Sequence, residues 1–246
     1  MSAKVWLVGA GPGDPELLTL KAVRALGEAD VVLIDDLVNS AVLQHCPGAR
    51  VIAVGKRGGC RSTPQAFIHR LMLRYARQGR CVVRLKGGDP CIFGRGGEEA
   101  QWLREHGIEV ELVNGITAGL AGATSCDISL TLRGVARGVT LLTAHTQDDS
   151  PLDWQALAQG GTTLVIYMGV AKLTEIGEQL RAAGMPDRTP VAMIENASLP
   201  EQRECRSVLG NMQQDALQFR LKSPAILVIG AVAATAGASA ACLLQA

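Results

Sequence analysis

Along the first half of the chain, short runs of Val, Ile and Leu alternate with segments whose apolar residues return every three or four positions. A continuous apolar run of this length suits a strand buried on both faces, and the three-to-four spacing suits a helix lying over it. The runs are VWLVG at 5–9, VVLID at 31–35, RVIAVG at 50–55, CVVRLKG at 81–87 and EVELVN at 109–114. They predict a mostly parallel sheet covered by helices. Between the first two runs, Asp14 is placed to cap a helix that Pro15 opens, Leu17, Leu18, Val23 and Leu26 face inward, and Gly27 ends. Residues 62–79 predict a second helix, with Thr63 as cap, Pro64 at its start and Gly79 at its end; 94–107 predict a third.

The pattern changes around Asn114 to Thr117. Beyond it, candidate strands at 138–144, 162–169, 189–196, 204–210 and 224–230 are spaced differently, with a helix over 170–184. This predicts an α/β chain of two domains, 1–114 with a mostly parallel sheet and 115–246 with a mixed one. No low-complexity stretch or internal repeat interrupts them.

Composition narrows the function classes. Hydrophobic residues at 48% and charged residues at 19% give a globular balance. A formal charge of +1 with only 3% aromatics argues against nucleic acid, which needs basic surface and stacking rings. Any anionic ligand must be met locally. The seven cysteines are scattered without a C-x-x-C pair, as expected in a reducing cytoplasm, and the four histidines lack metal-ligand spacing, so no metal site is expected. No apolar signal segment precedes KVWLVGAG. The uncharged tail at 223–246 is mostly Ala, Gly, Ser and Thr after one apolar run, which suits a buried strand with an Ala-rich end and not a membrane span.

The loop GAGPGD at 9–14 begins like a dinucleotide fingerprint and then departs from it. G-x-G-x-x-G needs a third glycine where Asp14 stands; a carboxylate there repels phosphate, and Pro12 lacks an N–H donor. No P-loop motif occurs either. A second cluster, RLKGGDPCIFGRGGEEA at 84–100, also follows a strand and opens a helix. Gly87 and Gly88 let main chain approach a ligand, Asp89 can accept from amine or hydroxyl donors, and Ile92 with Phe93 can form an apolar wall. Two such loops at the carboxyl edge of a parallel sheet suit a phosphate-free ligand such as an adenosyl amino acid. A tight strand-to-helix turn that touches no ligand is the competing account of the first loop.

At VGAGPGDPELLTLKA and VVRLKGGDPCIFGRGGEEA the chain resembles the uroporphyrinogen-III C-methyltransferases of the tetrapyrrole methylase family. VGKRGG at 54–59, GTTLVIYMG at 161–169, PVAMIENASLPEQR at 190–203 and SPAILVIG at 223–230 extend the likeness in order over nearly the whole chain. The resemblance implies two α/β domains with S-adenosyl-L-methionine in the cleft between them, a homodimer, and methylation of uroporphyrinogen III at carbons 2 and 7 to give precorrin-2. Carried over to this chain, the methyl-donor site comprises Pro12, Gly87, Gly88, Asp89, Ile92, Phe93, Thr117, Ala118, Met168, Ala197 and Ala225. On the tetrapyrrole side it implies Arg95, Glu98, Arg133 and Asp35. Neither NAD chemistry nor metal insertion is expected, because the chain begins at the first strand.

The chemistry fits those residue types. A sulfonium donor needs alignment with its nucleophile above all, and a proton must then leave the macrocycle. Arg95 and Glu98, three apart at a helix start, can face one site; the arginine fork suits substrate carboxylates, and Glu98 suits proton transfer. An ordinary helix-surface ion pair is the alternative for these two, and a solvated loop charge for Arg133. Lys56, Arg57 and Arg61 form a local basic cluster for an octacarboxylate, or a solvated loop.

Overall fold

The structure, a computed structural model, describes residues 4–55, 63–145 and 152–234. The chain divides into two compact units, Met1–Thr117 and Ala118–Ala246. Lys56, Arg57, Arg61 and most of the Ala-rich tail lie outside the described residues.

In the first unit, β1 (Lys4–Gly9), β2 (Val31–Ile34), β3 (Arg50–Ala53), β4 (Val82–Lys86) and β5 (Glu109–Val113) form one sheet in the order β3-β2-β4-β1-β5. Every pairing in it is parallel, so all five strands deliver their following loops to the same edge. Helices α1 (Leu20–Gly27), α2 (Gln65–Arg77) and α3 (Gly96–Glu105) complete the unit. Strand alternation splits the core into two layers. Trp6, Val8, Val32, Val83 and Leu85 pack with Leu26 of α1, whereas Leu7, Leu33 and Val82 pack with Met72 of α2 and Leu103 of α3.

The first helix differs from its expected form. Asp14 caps only a single 3-10 turn, Pro15–Leu17, by accepting from Glu16 N at 2.9 Å. The chain is extended again at Leu18, and α1 starts at Leu20 under Thr19, whose Oγ1 accepts from Ala22 N at 3.2 Å. Pro15 suits a first turn in either case, but its fixed φ does not decide how far the turn continues. Thr63 is likewise not the cap of α2: Pro64 holds that place, and the Thr63 hydroxyl donates to Gly55 O at 3.3 Å.

The second unit contains α4 (Ala118–Ser125), β6 (Val139–Thr143), α5 (Trp154–Gln159), β7 (Thr163–Tyr167), α6 (Leu173–Ala182), β8 (Pro190–Glu195), β9 (Arg203–Val208), α7 (Met212–Phe219) and β10 (Ala225–Ile229). Its sheet has the order β6-β7-β10-β8-β9, with β6 and β7 parallel and the remaining pairs antiparallel. Leu164, Ile166, Met193 and Leu227 of the sheet pack with Ile176 and Leu180 of α6 and Met212 of α7. On α4, Gly119, Ala121, Gly122 and Ala123 are buried, and small residues let that helix lie close to the sheet. Tyr167 Oη accepts from Gly119 N at 2.9 Å and ties the start of α4 to the end of β7. Among the described residues, no helix is long and apolar enough to cross a membrane.

Candidate active site

Three loops of the first unit meet where the strands end. Gly11 and Gly88 form a two-bond ladder, Gly11 N to Gly88 O at 3.2 Å and Gly88 N to Gly11 O at 2.7 Å, and Ala10 N donates to Lys86 O at 2.7 Å. The loop after β5 closes over this ladder. A Cβ on Gly9 would lie 2.6 Å from both Gly115 N and Gly88 O, so only glycine lets the three backbones touch. Asp89 locks the arrangement: its Oδ1 accepts from Cys91 N at 2.7 Å, and its Oδ2 from Gly115 N at 3.1 Å and Asn114 Nδ2 at 3.2 Å. These bonds keep 114–117 with the first unit, and they engage the carboxylate expected to face a ligand.

The loops suit a ligand without phosphate. The amides of Ala10, Gly11 and Gly88 are consumed by the ladder, and Asp14 occupies the amide of the first turn. No Lys, Arg or His stands in 9–14 or 87–94, so these two loop segments themselves bring no cation to a phosphate. What these loops offer instead is close main chain and apolar surface. Phe93, in the first unit, is 40% exposed with φ 52°; taken by itself, the second unit has Met168 directly after β7, 50% exposed with φ 55°. Asn196 and Ser198, on either side of Ala197, have φ 53° and 63°. Left-handed backbone at a non-glycine residue costs about 1–3 kcal/mol and tends to gather where ligands are held. Thr117, Ala197 and Ala225 are buried, and Pro12, Gly87, Gly88, Ile92 and Ala118 are half-buried.

Beneath the loop after β4 lies a charge cluster that the motifs did not reveal. Arg84 and Lys86 project from one face of β4 and are 2% and 5% exposed. Arg84 Nη2 donates to Asp35 Oδ1 at 2.5 Å, and its Nε to Glu99 Oε1 at 3.4 Å. Lys86 Nζ lies 3.3 Å from Glu99 Oε1 and 3.7 Å from Asp35 Oδ2. Glu99 is fully buried because it shares the inward stripe of α3 with Gly96, Ala100 and Leu103, while Glu98, one residue earlier, faces out. Gln65 Nε2, from α2, donates to Glu99 Oε1 at 2.6 Å. Burial pushes Lys86 below its ordinary value, and repulsion from Arg84 adds to this; Glu99 and Asp35 act in the opposite direction.

The expected tetrapyrrole-side residues have unequal surroundings. Arg95 donates to Glu98 Oε2 from Nε at 3.0 Å and Nη2 at 2.7 Å on an exposed surface. This hydrogen-bonded pairing holds the Glu98 carboxyl below the usual range, so it favours the ionised form. Arg133 is exposed on the tight turn between Leu132 and Ala136. Asp35 alone of the four reaches the buried cluster. Arg84, Lys86 and Glu99 are not among the expected site residues; two charges two apart inside an apolar run are the available signal for the first two. Among the described residues, no group of three or more His, Cys, Asp or Glu is arranged to hold a metal ion.

Comparison with known proteins identifies the family. The family model of the Tetrapyrrole (Corrin/Porphyrin) Methylases matches residues 4–213. A uroporphyrinogen-III C-methyltransferase of Pseudomonas aeruginosa is 75% identical over 94% of this chain and 95% of its own. The crystal structure of a Thermus thermophilus uroporphyrin-III C-methyltransferase, complexed with S-adenosyl homocysteine, superimposes with a TM-score of 0.81 at 41% identity, covering 94% of this chain and 93% of that one. A cobalt precorrin-4 methyltransferase gives a TM-score of 0.85 at 27% identity, covering 94% and 96%. The chain therefore belongs to the Tetrapyrrole (Corrin/Porphyrin) Methylases.

Proposed function

We propose that this chain transfers methyl groups from S-adenosyl-L-methionine to carbons 2 and 7 of uroporphyrinogen III, giving precorrin-2 and S-adenosylhomocysteine. The product would feed sirohaem, cobalamin or haem d1 synthesis. The near-full-length similarity to the Pseudomonas aeruginosa enzyme carries the choice of substrate. The phosphate-free character of the two glycine loops supports the choice of donor.

When bound, the donor supplies an electrophilic methyl group on a sulfonium. The chain's own task is positioning. Gly87, Gly88 and Pro12 would let main chain approach the donor, with Asp89 bracing the loop; Ile92, Phe93 and Met168 supply apolar contact, and Thr117, Ala118, Ala197 and Ala225 complete the donor site. Arg95 and Arg133 would orient substrate carboxylates. Transfer of Arg95 from Glu98 to such a carboxylate frees Glu98 to accept the proton that leaves the macrocycle, with Asp35 facing the same substrate. We read the protein as a cytoplasmic homodimer without metal or NAD; the free state of Cys46, Cys81, Cys91, Cys126 and Cys205 supports a reducing compartment.

Mass spectrometry of the product from uroporphyrinogen III, with a later precorrin as competing substrate, tests the proposal. A gain of two methyl groups on uroporphyrinogen III is expected; methylation of the precorrin alone would replace this reading with a later corrin step. Arg133→Ala is expected to weaken tetrapyrrole binding about tenfold or more, as for a lost charge-assisted bond, and to leave donor affinity nearly unchanged. Titration calorimetry with each ligand measures this, and equal loss of both would remove Arg133 from the substrate side.

A further inference from the structure

The first unit buries more charge than the proposed transfer uses. Each cation of the cluster touches both acids: Arg84 and Lys86 each lie within 4 Å of Asp35 and of Glu99. The result is a closed square of two positive and two negative groups, carried by β4, the end of β2 and α3. Its two acids differ in access. Asp35 keeps 28% of its side chain exposed at the strand edge, whereas Glu99 has none. Glu99 Oε1 receives Gln65, Arg84 and Lys86, while its Oε2 is buried with no hydrogen-bond partner among the described residues. A core built for stability alone is served as well or better by apolar residues, because desolvation of buried ions offsets their attraction.

We propose that Lys86 and Glu99 are positioning residues of the methyl transfer, which balance the Arg84–Asp35 pair from behind and so fix the Asp35 carboxylate at the edge of the site. This rests on the reading that Asp35 faces the tetrapyrrole. With Glu99 neutral, both buried cations have Asp35 as their sole acidic partner in the square and draw its carboxylate inward. With Lys86 neutral, Arg84 alone serves two acids, and its hold on Asp35 loosens. Either change misplaces Asp35 without touching the donor loops.

The charge on Lys86 gives a second readout. It faces Arg84 on its own strand, Asp35 at the end of β2 and Glu99 on α3, and it acts at longer range on Glu98 and on His69 of α2. Burial and Arg84 lower its affinity for the proton, and Glu99 opposes them. Removing the Glu99 charge therefore lowers it further, and Lys86 loses its proton at a lower pH than before.

The test compares Glu99→Gln, Lys86→Met and the double variant of the full chain, with uroporphyrinogen III and S-adenosylmethionine. Each single change is expected to lower kcat about tenfold, the size of coupling usual between contacting charges, with the donor KM within about twofold of wild type. In Glu99→Gln the alkaline limb of the kcat profile moves to lower pH. The double variant restores one cation to one acid and is expected to recover kcat to within about threefold of wild type. Multiplying losses in the double variant, or an unchanged kcat and pH profile in Glu99→Gln, would overturn the proposal. Should Glu99→Gln not fold by circular dichroism, the double variant decides: faster than Lys86→Met supports the role, and equally slow refutes it. A wild-type chain that leaves uroporphyrinogen III unmethylated would instead overturn the functional reading, and this inference with it.

Discussion

Gly115→Ala is expected to lower stability by about 3 kcal/mol and to abolish detectable binding of S-adenosylhomocysteine. The added methyl carbon would fall 2.9 Å from both Gly9 Cα and Gly9 C, and closer still to Gly88 O. All of these are backbone atoms, so no side-chain rotation relieves the contact. The loop after β5 must lift, and with it go the Asp89 bonds to Gly115 N and Asn114 Nδ2. Asp89 then retains Cys91 N, while the ladder between Gly11 and Gly88 loses its cover. Urea denaturation and calorimetry with S-adenosylhomocysteine measure the two effects. Gly97→Ala is the control, because a Cβ there meets nothing within 4 Å among the described residues. Wild-type stability in Gly115→Ala would show that the loop relaxes at little cost.

Arg84→Leu has a comparable expected cost for an electrostatic reason, about 3–5 kcal/mol, the range for removing one partner from a buried ionic group. In register, Arg84 lies between Leu7 of β1 and Leu33 of β2, so leucine matches the neighbours in polarity. It does not match the acids. Glu99 would keep Lys86 and Gln65, and Asp35 would keep Lys86 at 3.7 Å. The carbonyls of Leu33 and Leu85 also lose a donor. A loss of this size shifts the melting temperature by roughly 10 °C in a chain of this length. A thermal scan checks it, and a shift below about 2 °C would mean that Lys86 alone neutralises both acids.

The strands were legible because their physical requirement is local. A run such as TTLVIYMG must bury both faces, and β7 spans Thr163–Tyr167 within it. Glycine turns were legible for the same reason. By contrast, α4 carries AGLAGATS, which has no polar face to set a period, and its helix depends on contacts with Tyr167 and Val165. On α7, Leu217 is 72% exposed, so apolar spacing points the wrong way there. The charged square was hidden by distance along the chain: Arg84 meets Asp35 at a separation of 49 residues and Glu99 at 15. The adjacent glutamates of GGEE show the limit most directly. The sequence reading singles out Glu98, while the helix sends Glu98 to water and Glu99 into the core.

The alternation on β4 also constrains how the sheet can assemble. Val83 and Leu85 belong to one core layer, and Arg84 and Lys86 share the other face with Val82. A slip of one residue would turn both cations into the layer of Trp6 and Leu26, where that apolar cluster holds no acid, and would turn Val83 and Leu85 onto Glu99. A central strand of uniform apolar residues tolerates such a shift far more cheaply. The two cations thus act as a registration key for β4 between β1 and β2, penalising misaligned pairings during folding before any ligand is present.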